Sequence, residues 1–206
     1  MTEWHFYEPA RGHGLRHDPL NAIVAPRPIG WISTVSRAGA RNLAPYSFFN
    51  LFNYKPPIVG FCSVGAKDSL ANARETGEFV WNLATRDLAE AMNVSSAAAP
   101  PETDEFALAG LETLPSAKVR PPRVASSPVQ FECVVTQVVQ LEARDGAELP
   151  SWLVLGEAVA VHLDRALLDD GVYQTSRARP ITRGGGPADY FEITHEQLFR
   201  MERPKG

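Results

Sequence analysis

Cysteine is scarce in this chain: only Cys62 and Cys133 occur in 206 residues, far apart and each within an apolar run. No CxxC pair and no cysteine–histidine cluster has the spacing of a zinc site, which argues against a disulfide framework or a zinc-bound module. A single disulfide between the two is geometrically open, but a reducing compartment disfavours it. We expect two buried, inert thiols and no metal centre.

Long apolar runs are also missing. No window reaches the roughly 18 apolar residues that a membrane-spanning helix needs, so the sequence predicts no membrane segment. The N-terminal stretch MTEWHFYEPARGHGLRHD carries charges and aromatic residues where a signal peptide has a basic start followed by an apolar run. The expected location is therefore the cytoplasm.

The chain has no excess of positive charge. With 20 Lys and Arg against 24 Asp and Glu, its formal net charge is −4, so we expect no nucleic-acid partner, since binding a phosphate backbone depends on clustered cations. There is no GxGxxG fingerprint and no Walker loop. The stretch from Gly60 to Gly65 misses the GxSxG nucleophile elbow by one residue, which argues against a serine hydrolase.

What the sequence does contain is a series of short β-branched and aromatic segments, interrupted by a few short helical patterns. They follow no βαβ rhythm, which favours a mainly β fold, a small antiparallel barrel with peripheral helices, over a Rossmann-like sheet. Pro45 is expected at an edge or a bulge, and Gly77 is expected just after a helix that Asp68 or Ser69 caps. The predicted strands are 29–36, 42–50, 58–64, 78–84, 129–141 and 153–163, and the predicted helices are 67–77, 87–93 and one short helix in DEFALAGL (104–111).

The chain is predicted to form a single domain over residues 1–206. A Pro-rich excursion at about 95–128 could be a linker between two domains. Its apolar residues Phe106, Leu108 and Leu111 favour an insertion that packs on the body of the domain instead.

The most informative stretch runs from Ser63 to Ser69, from a predicted strand through a glycine turn into a helix N-terminus. Free N–H groups and the helix dipole favour an anion at such a point. Lys67 adds a positive charge, and the hydroxyls of Ser63 and Ser69 add donors. A plain capped turn with a solvated lysine is an equally good interpretation of these residues alone.

A second set of residues joins hydroxyls, an amide and aromatic rings near predicted strand ends: Trp31-Ile-Ser-Thr-Val-Ser36 and Tyr46-Ser-Phe-Phe-Asn50. This mixture suits a flat aromatic ligand with polar edges, because rings bury its face and polar groups bind its edge. Taken alone, an ordinary barrel core with surface serines and threonines explains it better.

Two histidine patterns could hold a ligand. His13 and His17 are four residues apart, but the neighbouring glycines and proline argue against a helix, so a solvated arm is the better interpretation. His162 and Asp164 alternate along a predicted strand and share a face. A histidine satisfied by hydrogen bonds at the rim of a cavity is the commoner arrangement.

Taken together, these segments resemble the flavin reductase-like family of FMN-binding split barrels, which includes reductase components of two-component flavin monooxygenases and flavoredoxins. The similar pieces follow one another through nearly the whole chain. They are NAIVAPRPIGWISTVS (21–36), NLAPYSFFN (42–50), KDSLANARETGEFVWNLAT (67–85), DEFALAGL (104–111), LVLGEAVAVHLD (153–164) and RGGGPADY (183–190).

The resemblance implies a six-stranded antiparallel split β-barrel, a homodimer, and FMN, rather than FAD, near the dimer interface. It places the flavin ring beside two strand segments, the ribityl chain and phosphate at the helix N-terminus, and the nicotinamide approach near the glycine-rich loop. The cofactor-binding residues so implied are Trp31, Ser33, Thr34, Val35 and Ser36 at the ring edge, Ser47, Phe48 and Asn50 close to the ring, Ser63, Lys67, Asp68 and Ser69 at the ribityl chain and phosphate, and Arg183 and Tyr190 in the glycine-rich loop.

The implied activity is an NAD(P)H-dependent FMN reductase that supplies reduced flavin to a partner oxygenase or another acceptor. Two alternatives share the same flavin site: an FMN-containing electron carrier, and a reductase of ferric complexes or other small acceptors. Hydride transfer to a flavin needs no protein acid or base, so the site residues are binding residues first. His162 is the one candidate for a catalytic side chain.

Overall fold

The computed structural model describes residues 1–100 and 103–204 and is built around one antiparallel sheet of seven strands. The mainly β architecture is as predicted, but the main sheet has seven strands where the resemblance implied six. In chain order the first strands and helices are α1 (Leu20–Ile23), β1 (Arg27–Pro28), β2 (Gly30–Val35), β3 (Arg41–Tyr46), β4 (Phe49–Tyr54), β5 (Pro57–Val64), α2 (Asp68–Thr76), β6 (Glu78–Asn82) and α3 (Ala89–Val94).

The second half of the chain contributes the two longest strands and several short elements. These are α4 (Glu105–Leu108), β7 (Thr113–Leu114), β8 (Arg123–Val124), β9 (Val129–Glu142), β10 (Glu148–Leu163), β11 (Leu168–Asp169), β12 (Val172–Tyr173), β13 (Ile181–Arg183) and β14 (Tyr190–Glu192). The main sheet has the order β3-β2-β6-β9-β10-β5-β4, and β1, β13 and β14 form a separate three-stranded sheet.

The predicted strand 42–50 is wrong as a single element. It is two strands, because β3 pairs with β2 while β4 pairs with β5 at the far end of the sheet. Ser47 and Phe48 form the link, and the Phe48 carbonyl accepts a hydrogen bond from Cys62 N–H at 2.8 Å. Pro45 lies in β3, an edge strand, as predicted, where its missing N–H costs no ladder hydrogen bond.

The helix predicted over 67–77 is confirmed as α2, but its predicted cap is wrong. Lys67 occupies the N-cap position, and its side chain makes no capping hydrogen bond. Asp68 and Ser69 lie inside the first turn instead. Gly77 ends the helix with φ 73°, a left-handed conformation that glycine adopts without steric cost, and its N–H donates to the Ala73 carbonyl.

Three clusters of buried side chains hold the described elements together, and two of them involve the helices α2 and α4. One packs Phe61, Leu70 and Phe79 between the sheet and α2. The other contains Trp31 of β2 and Phe106 of α4, together with buried side chains from the neighbouring strands and short helices. The excursion predicted at 95–128 thus contributes a fully buried side chain to the body of the protein, although Pro101 and Glu102 lie outside the described residues.

The two thiols differ in their surroundings. Cys133 is buried in the first cluster, and burial raises its pKa. Cys62 is only half-buried, and burial raises its pKa as well. Both are free, and a raised pKa disfavours the reactive thiolate, although only Cys133 is buried as expected. Within residues 1–100 and 103–204, no helix is long and apolar enough to cross a membrane.

Candidate functional site

The best-formed candidate site lies where β5 ends and α2 begins. Gly65, with φ 85°, turns the chain between the two elements, and its N–H donates to the Pro150 carbonyl. Because Lys67 does not cap α2, the first N–H groups of this nine-residue helix remain available to a ligand. They face a cleft of about 340 Å³ between α2, β3 and the segment 95–99.

The phenol of Tyr46 lies at the wall of this cleft. Its side chain is only 6% exposed, and its hydroxyl has no partner with good hydrogen-bond geometry among the described residues. Burial raises the pKa of Tyr46, and the facing hydroxyls of Ser69 and Ser63 counteract part of this effect. A buried, unsatisfied hydroxyl is uncommon in native proteins and marks a position where a ligand can supply the partner.

Ser69 and Ser63 keep donor capacity for a ligand to different extents. Ser69 Oγ accepts a hydrogen bond from Asn42 Nδ2 at 2.8 Å, so its own proton is free to be donated. Ser63 Oγ donates to the Gly65 carbonyl at 2.9 Å, which fixes the turn that leads to α2. The structure therefore brings Lys67, Asp68 and Ser69 to the cleft, whereas Ser63 holds the turn that leads to α2 and is not among the residues that line it.

Glu105 is a cleft residue that the sequence interpretation missed. Its side chain is buried, and its Oε2 accepts a hydrogen bond from Leu43 N–H at 2.9 Å. Burial raises the pKa of Glu105. The Leu43 N–H and its own N–H oppose the rise, while the nearby charges of Asp68 and Asp104 add to it. The acidic pair 104–105 ahead of an apolar segment indicates a helix start, but nothing in it places the second carboxyl in a cleft.

The ring-edge residues lie on β2 and just beyond it. Trp31 is fully buried, and its Nε1 donates to Ser95 Oγ at 2.9 Å. Thr34 Oγ1 accepts hydrogen bonds from Asn42 and Asn72, so it is linked to Ser69 through the Asn42 amide.

The remaining residues of this segment have different surroundings. Ser33 Oγ is buried and has no hydrogen-bond partner within the described ranges. Ser36 Oγ accepts from Ala40 N–H in the turn between β2 and β3, and Val35 is half-buried at the end of β2. Ser33 is thus the member of the group with an unused polar atom.

Ser47, Phe48 and Asn50 lie in and after the link that separates β3 from β4. Phe48 is 44% exposed, and the Arg27 guanidinium lies 5.8 Å from the centre of its ring. Asn50 is exposed and accepts from the Leu51 N–H. Phe48 therefore lies opposite Cys62 and Asn50 lies opposite Gly60, so that an exposed aromatic ring and an exposed amide lie along β5.

Arg183 and Tyr190 are not among the residues that line the α2 cleft. Arg183 donates to the carbonyls of Asp189, Gly186 and Pro187, and its guanidinium lies 4.9 Å from the Tyr190 ring centre. It therefore holds the glycine-rich loop in shape. Tyr190 lines a separate depression of about 630 Å³ between this loop and α3.

His162 forms a pair with Glu132 across the β9–β10 hairpin. Its Nε2 lies 2.5 Å from Glu132 Oε1, and the fully buried Glu132 also accepts from the N–H groups of Ala117 and Lys118. Asp164 does not share this partner, because it accepts from the Ala166 N–H instead. His162 is therefore a histidine satisfied by hydrogen bonds, the commoner of the two arrangements considered.

The other histidine pair has local partners as well. His13 Nδ1 accepts from the Leu15 N–H, and the His13 carbonyl lies 2.8 Å from His5 Nε2. In the part of the chain that the structure describes, no group of three or more His, Cys, Asp or Glu side chains is placed to hold a metal ion.

The donor set of the cleft fits a phosphorylated ligand with hydroxyl groups. Uncapped helix N–H groups, an ammonium group and serine hydroxyls bind phosphate oxygens. Carboxylates such as Asp68 accept hydrogen bonds from ligand hydroxyls. The Tyr46 hydroxyl, which has no partner of good geometry among the described residues, gives a further position for a polar ligand atom. The residues present therefore match the ribityl phosphate portion of FMN.

Comparison with known proteins identifies the family. Nitrilotriacetate monooxygenase component B of Bacillus cereus has a TM-score of 0.81 at 28% identity, covering 88% of this chain and 90% of its own. The 2-nitrobenzoate 2-nitroreductase of Pseudomonas fluorescens has a TM-score of 0.78 at 27% identity, covering 90% and 88%.

A Shewanella frigidimarina protein described as a flavin reductase with a split barrel domain shares the fold, with a TM-score of 0.78 at 20% identity and 90% of each chain covered. The family model of the flavin reductase like domain matches residues 24–182. This chain belongs to the flavin reductase-like family and has its split-barrel fold.

Proposed function

We propose that this protein is an NAD(P)H-dependent FMN reductase that binds the FMN phosphate at the N-terminus of α2. The observation that carries the proposal is the uncapped helix start beside Lys67, at a cleft also lined by the buried Tyr46 hydroxyl, which has no partner of good hydrogen-bond geometry among the described residues. Phosphate binding at helix N-termini follows from the free N–H groups and the helix dipole. The family membership supports a flavin as the ligand.

The side chains bind and orient, and the bound flavin supplies the hydride-accepting chemistry. Lys67 and Ser69 hold the phosphate, and Asp68 accepts hydrogen bonds from ribityl hydroxyls. Phe48 covers the ring face, because it is the exposed aromatic side chain beside this end of β5. The ring edge lies toward Ser33, whose hydroxyl has no hydrogen-bond partner in the described part of the chain, and toward Ser47 and Asn50.

The remaining assignments depend on the order of elements around the cleft. A segment of β2 and the residue after it form the wall behind the ring edge, because Asn42 donates hydrogen bonds to both Thr34 and Ser69. The residues of this wall are Trp31, Thr34, Val35 and Ser36. Arg183 and Tyr190 shape the nicotinamide approach from the glycine-rich loop, which contacts β1 and so lies near Phe48. His162 has a structural partner, so we assign it no proton-transfer role.

The purified protein is expected to bind FMN at about one molecule per chain. Isothermal titration calorimetry with FMN, FAD and riboflavin measures this directly, and FMN should bind most tightly because its terminal phosphate meets Lys67 and the α2 N–H groups. The absence of binding of FMN and FAD at micromolar concentrations would rule out the proposed function.

An electron carrier and a reductase of small acceptors would use the same flavin site. The similar proteins support two different electron acceptors. The likeness to a monooxygenase component B supports delivery of reduced flavin to an oxygenase. The likeness to a nitroreductase supports direct reduction of a small acceptor, the second candidate function. Anaerobic stopped-flow mixing with NADH and NADPH should bleach the flavin absorbance if the protein is a reductase. An electron carrier would bleach only with its donor enzyme present.

The protein is expected to be a cytoplasmic homodimer. Large apolar side chains are exposed along β4 and β10, among them Phe52 at 55% and Val161 at 56%. Such a surface on a sheet of this size is typical of an interface with a second copy. Sedimentation at the mass of two chains across micromolar concentrations is the expected result, and a monomer with flavin present would contradict it.

A further inference from the structure

We propose that Glu105 is a phosphate-binding residue that takes up a proton when FMN binds and donates a hydrogen bond to the phosphate. This inference rests on the proposed function, since it assigns a role toward the FMN phosphate. It concerns a buried carboxyl group that the family resemblance did not single out.

The position of Glu105 carries the inference. Its side chain is only 7% exposed and lines the same cleft as Lys67, Ser69 and the Tyr46 hydroxyl. Leu43 N–H donates to Oε2, which fixes the carboxyl group and leaves its other oxygen to carry a proton. A neutral carboxyl group at this point is a hydrogen-bond donor, whereas a carboxylate is only an acceptor.

The charges around the cleft require such a donor. Among the described residues that line the cleft, Lys67 is the one cation, and Asp68 and Glu105 are the carboxylic acids. Arg41 of β3 also lies nearby, but it is paired with Asp104, which caps α4. A phosphate monoester adds a charge of about −1.5 to −2 at neutral pH. With both acids ionised, the phosphate would face two carboxylates and a single free cation.

The electrostatic surroundings of Glu105 make it the acid that becomes neutral. Burial raises its pKa, two backbone N–H groups counteract part of the rise, and the charges of Asp68 and Asp104 add to it. Asp68 is more open to solvent than the buried Glu105, so we assign the proton to Glu105. A bound phosphate adds one more negative charge and favours the protonated form further.

The first test needs no substitution. Titrating the wild-type protein with FMN and with riboflavin between pH 6 and 8.5 should show that FMN affinity falls as pH rises, by up to about tenfold per pH unit once free Glu105 is ionised. Riboflavin affinity should stay nearly constant, because riboflavin has no phosphate. Parallel pH profiles for the two ligands would overturn the proposal.

The second test uses Glu105→Gln, which keeps an acceptor for Leu43 N–H and presents a permanent N–H donor to the cleft. Calorimetry in two buffers of different ionisation enthalpy measures the protons taken up with FMN. We expect uptake by the wild-type protein above pH 7 to be lost in Glu105→Gln. FMN affinity of this variant should be within about threefold of wild type at pH 6 and higher than wild type at pH 8.5.

The matched control is Glu112→Gln, which makes the same change at an exposed position outside the cleft and should behave as wild type. Thermal unfolding verifies that each variant is folded. Unchanged proton uptake in Glu105→Gln would overturn the inference, as would equal losses of FMN and riboflavin affinity, which indicate a carboxylate that accepts from ribityl hydroxyls. If wild-type protein binds riboflavin and FMN equally, the proposed phosphate site itself fails, and the inference fails with it.

Discussion

Replacing Glu132 with alanine is expected to lower the free energy of unfolding by about 3–5 kcal/mol. The reason is that one fully buried carboxylate accepts hydrogen bonds from His162 and from the N–H groups of Ala117 and Lys118. Alanine removes all three interactions at once and detaches the loop before β8 from β9. Urea denaturation followed by circular dichroism measures the loss.

Two further variants separate the contributions to this effect. His162→Ala leaves the carboxylate its two backbone donors and is expected to cost about 1–3 kcal/mol. Glu142→Ala removes an exposed carboxylate from the same strand, β9, and should stay within about 0.5 kcal/mol of wild type. A Glu132→Ala protein as stable as the Glu142→Ala control would show that Glu132 does not fasten the loop.

The Glu132 interactions also predict how stability responds to acid. Burial by itself raises the pKa of Glu132, but the hydrogen bonds from Ala117 N–H, His162 and Lys118 N–H outweigh it, so the pKa is lowered in the folded protein. A lowered pKa stabilises the fold above the unfolded carboxyl value of about 4.3, and the stabilisation is lost as pH falls through the folded value.

Local sequence signals predicted the elements whose determinants lie within a few residues. The apolar spacing of Leu70 and Ala73 and the position of Gly77 define α2 without reference to the rest of the chain. The β-branched residues of 129–141 and 153–163 similarly indicated the long hairpin that the structure shows as β9 and β10. The ends of this hairpin are less predictable. β10 begins at Glu148, before the predicted strand 153–163, because Glu148 pairs with Glu142 of β9.

Features that depend on pairing between distant segments could not be predicted in this way. The division of 42–50 at Ser47 and Phe48 arises because the two halves pair with different strands, β2 and β5. Both halves have strand-like composition, so no local signal marks the break.

The same limit applies within the candidate site. The Ser63–Ser69 motif is contiguous, and its geometry at the start of α2 could be anticipated from strand, turn and helix signals. Glu105 reaches the cleft through the packing of α4 against β3, and Glu132 reaches His162 across the β9–β10 hairpin. Both contacts join residues far apart in the sequence, so no local pattern indicates them.

Replacing Lys67 with alanine is expected to weaken FMN binding by about 1.5–3 kcal/mol, roughly ten- to a hundredfold, the usual range for a charge-assisted hydrogen bond. Lys67 is exposed at the N-cap of α2, beside the uncapped N–H groups proposed to hold the phosphate. Because the side chain makes no capping hydrogen bond, the substitution removes a ligand contact and leaves the helix start intact. Calorimetric titration with FMN and riboflavin, at low and at moderate salt, measures the change.

Riboflavin lacks the phosphate, so its affinity for Lys67→Ala should differ from its affinity for wild type by less than about twofold. The difference in FMN affinity between wild type and Lys67→Ala should shrink at higher salt, because salt screens the ammonium–phosphate attraction in the wild-type protein. Lys55→Ala is the matched control. It removes another exposed lysine, at the turn between β4 and β5 and thus at the opposite end of the strand that leads to the cleft, where Lys55 lies 5.6 Å from the Tyr54 ring centre. Equal losses of FMN and riboflavin affinity in Lys67→Ala would place this lysine away from the phosphate. If Lys55→Ala weakened FMN binding by the same amount, the effect would come from the net charge of the protein and not from a contact between Lys67 and the phosphate.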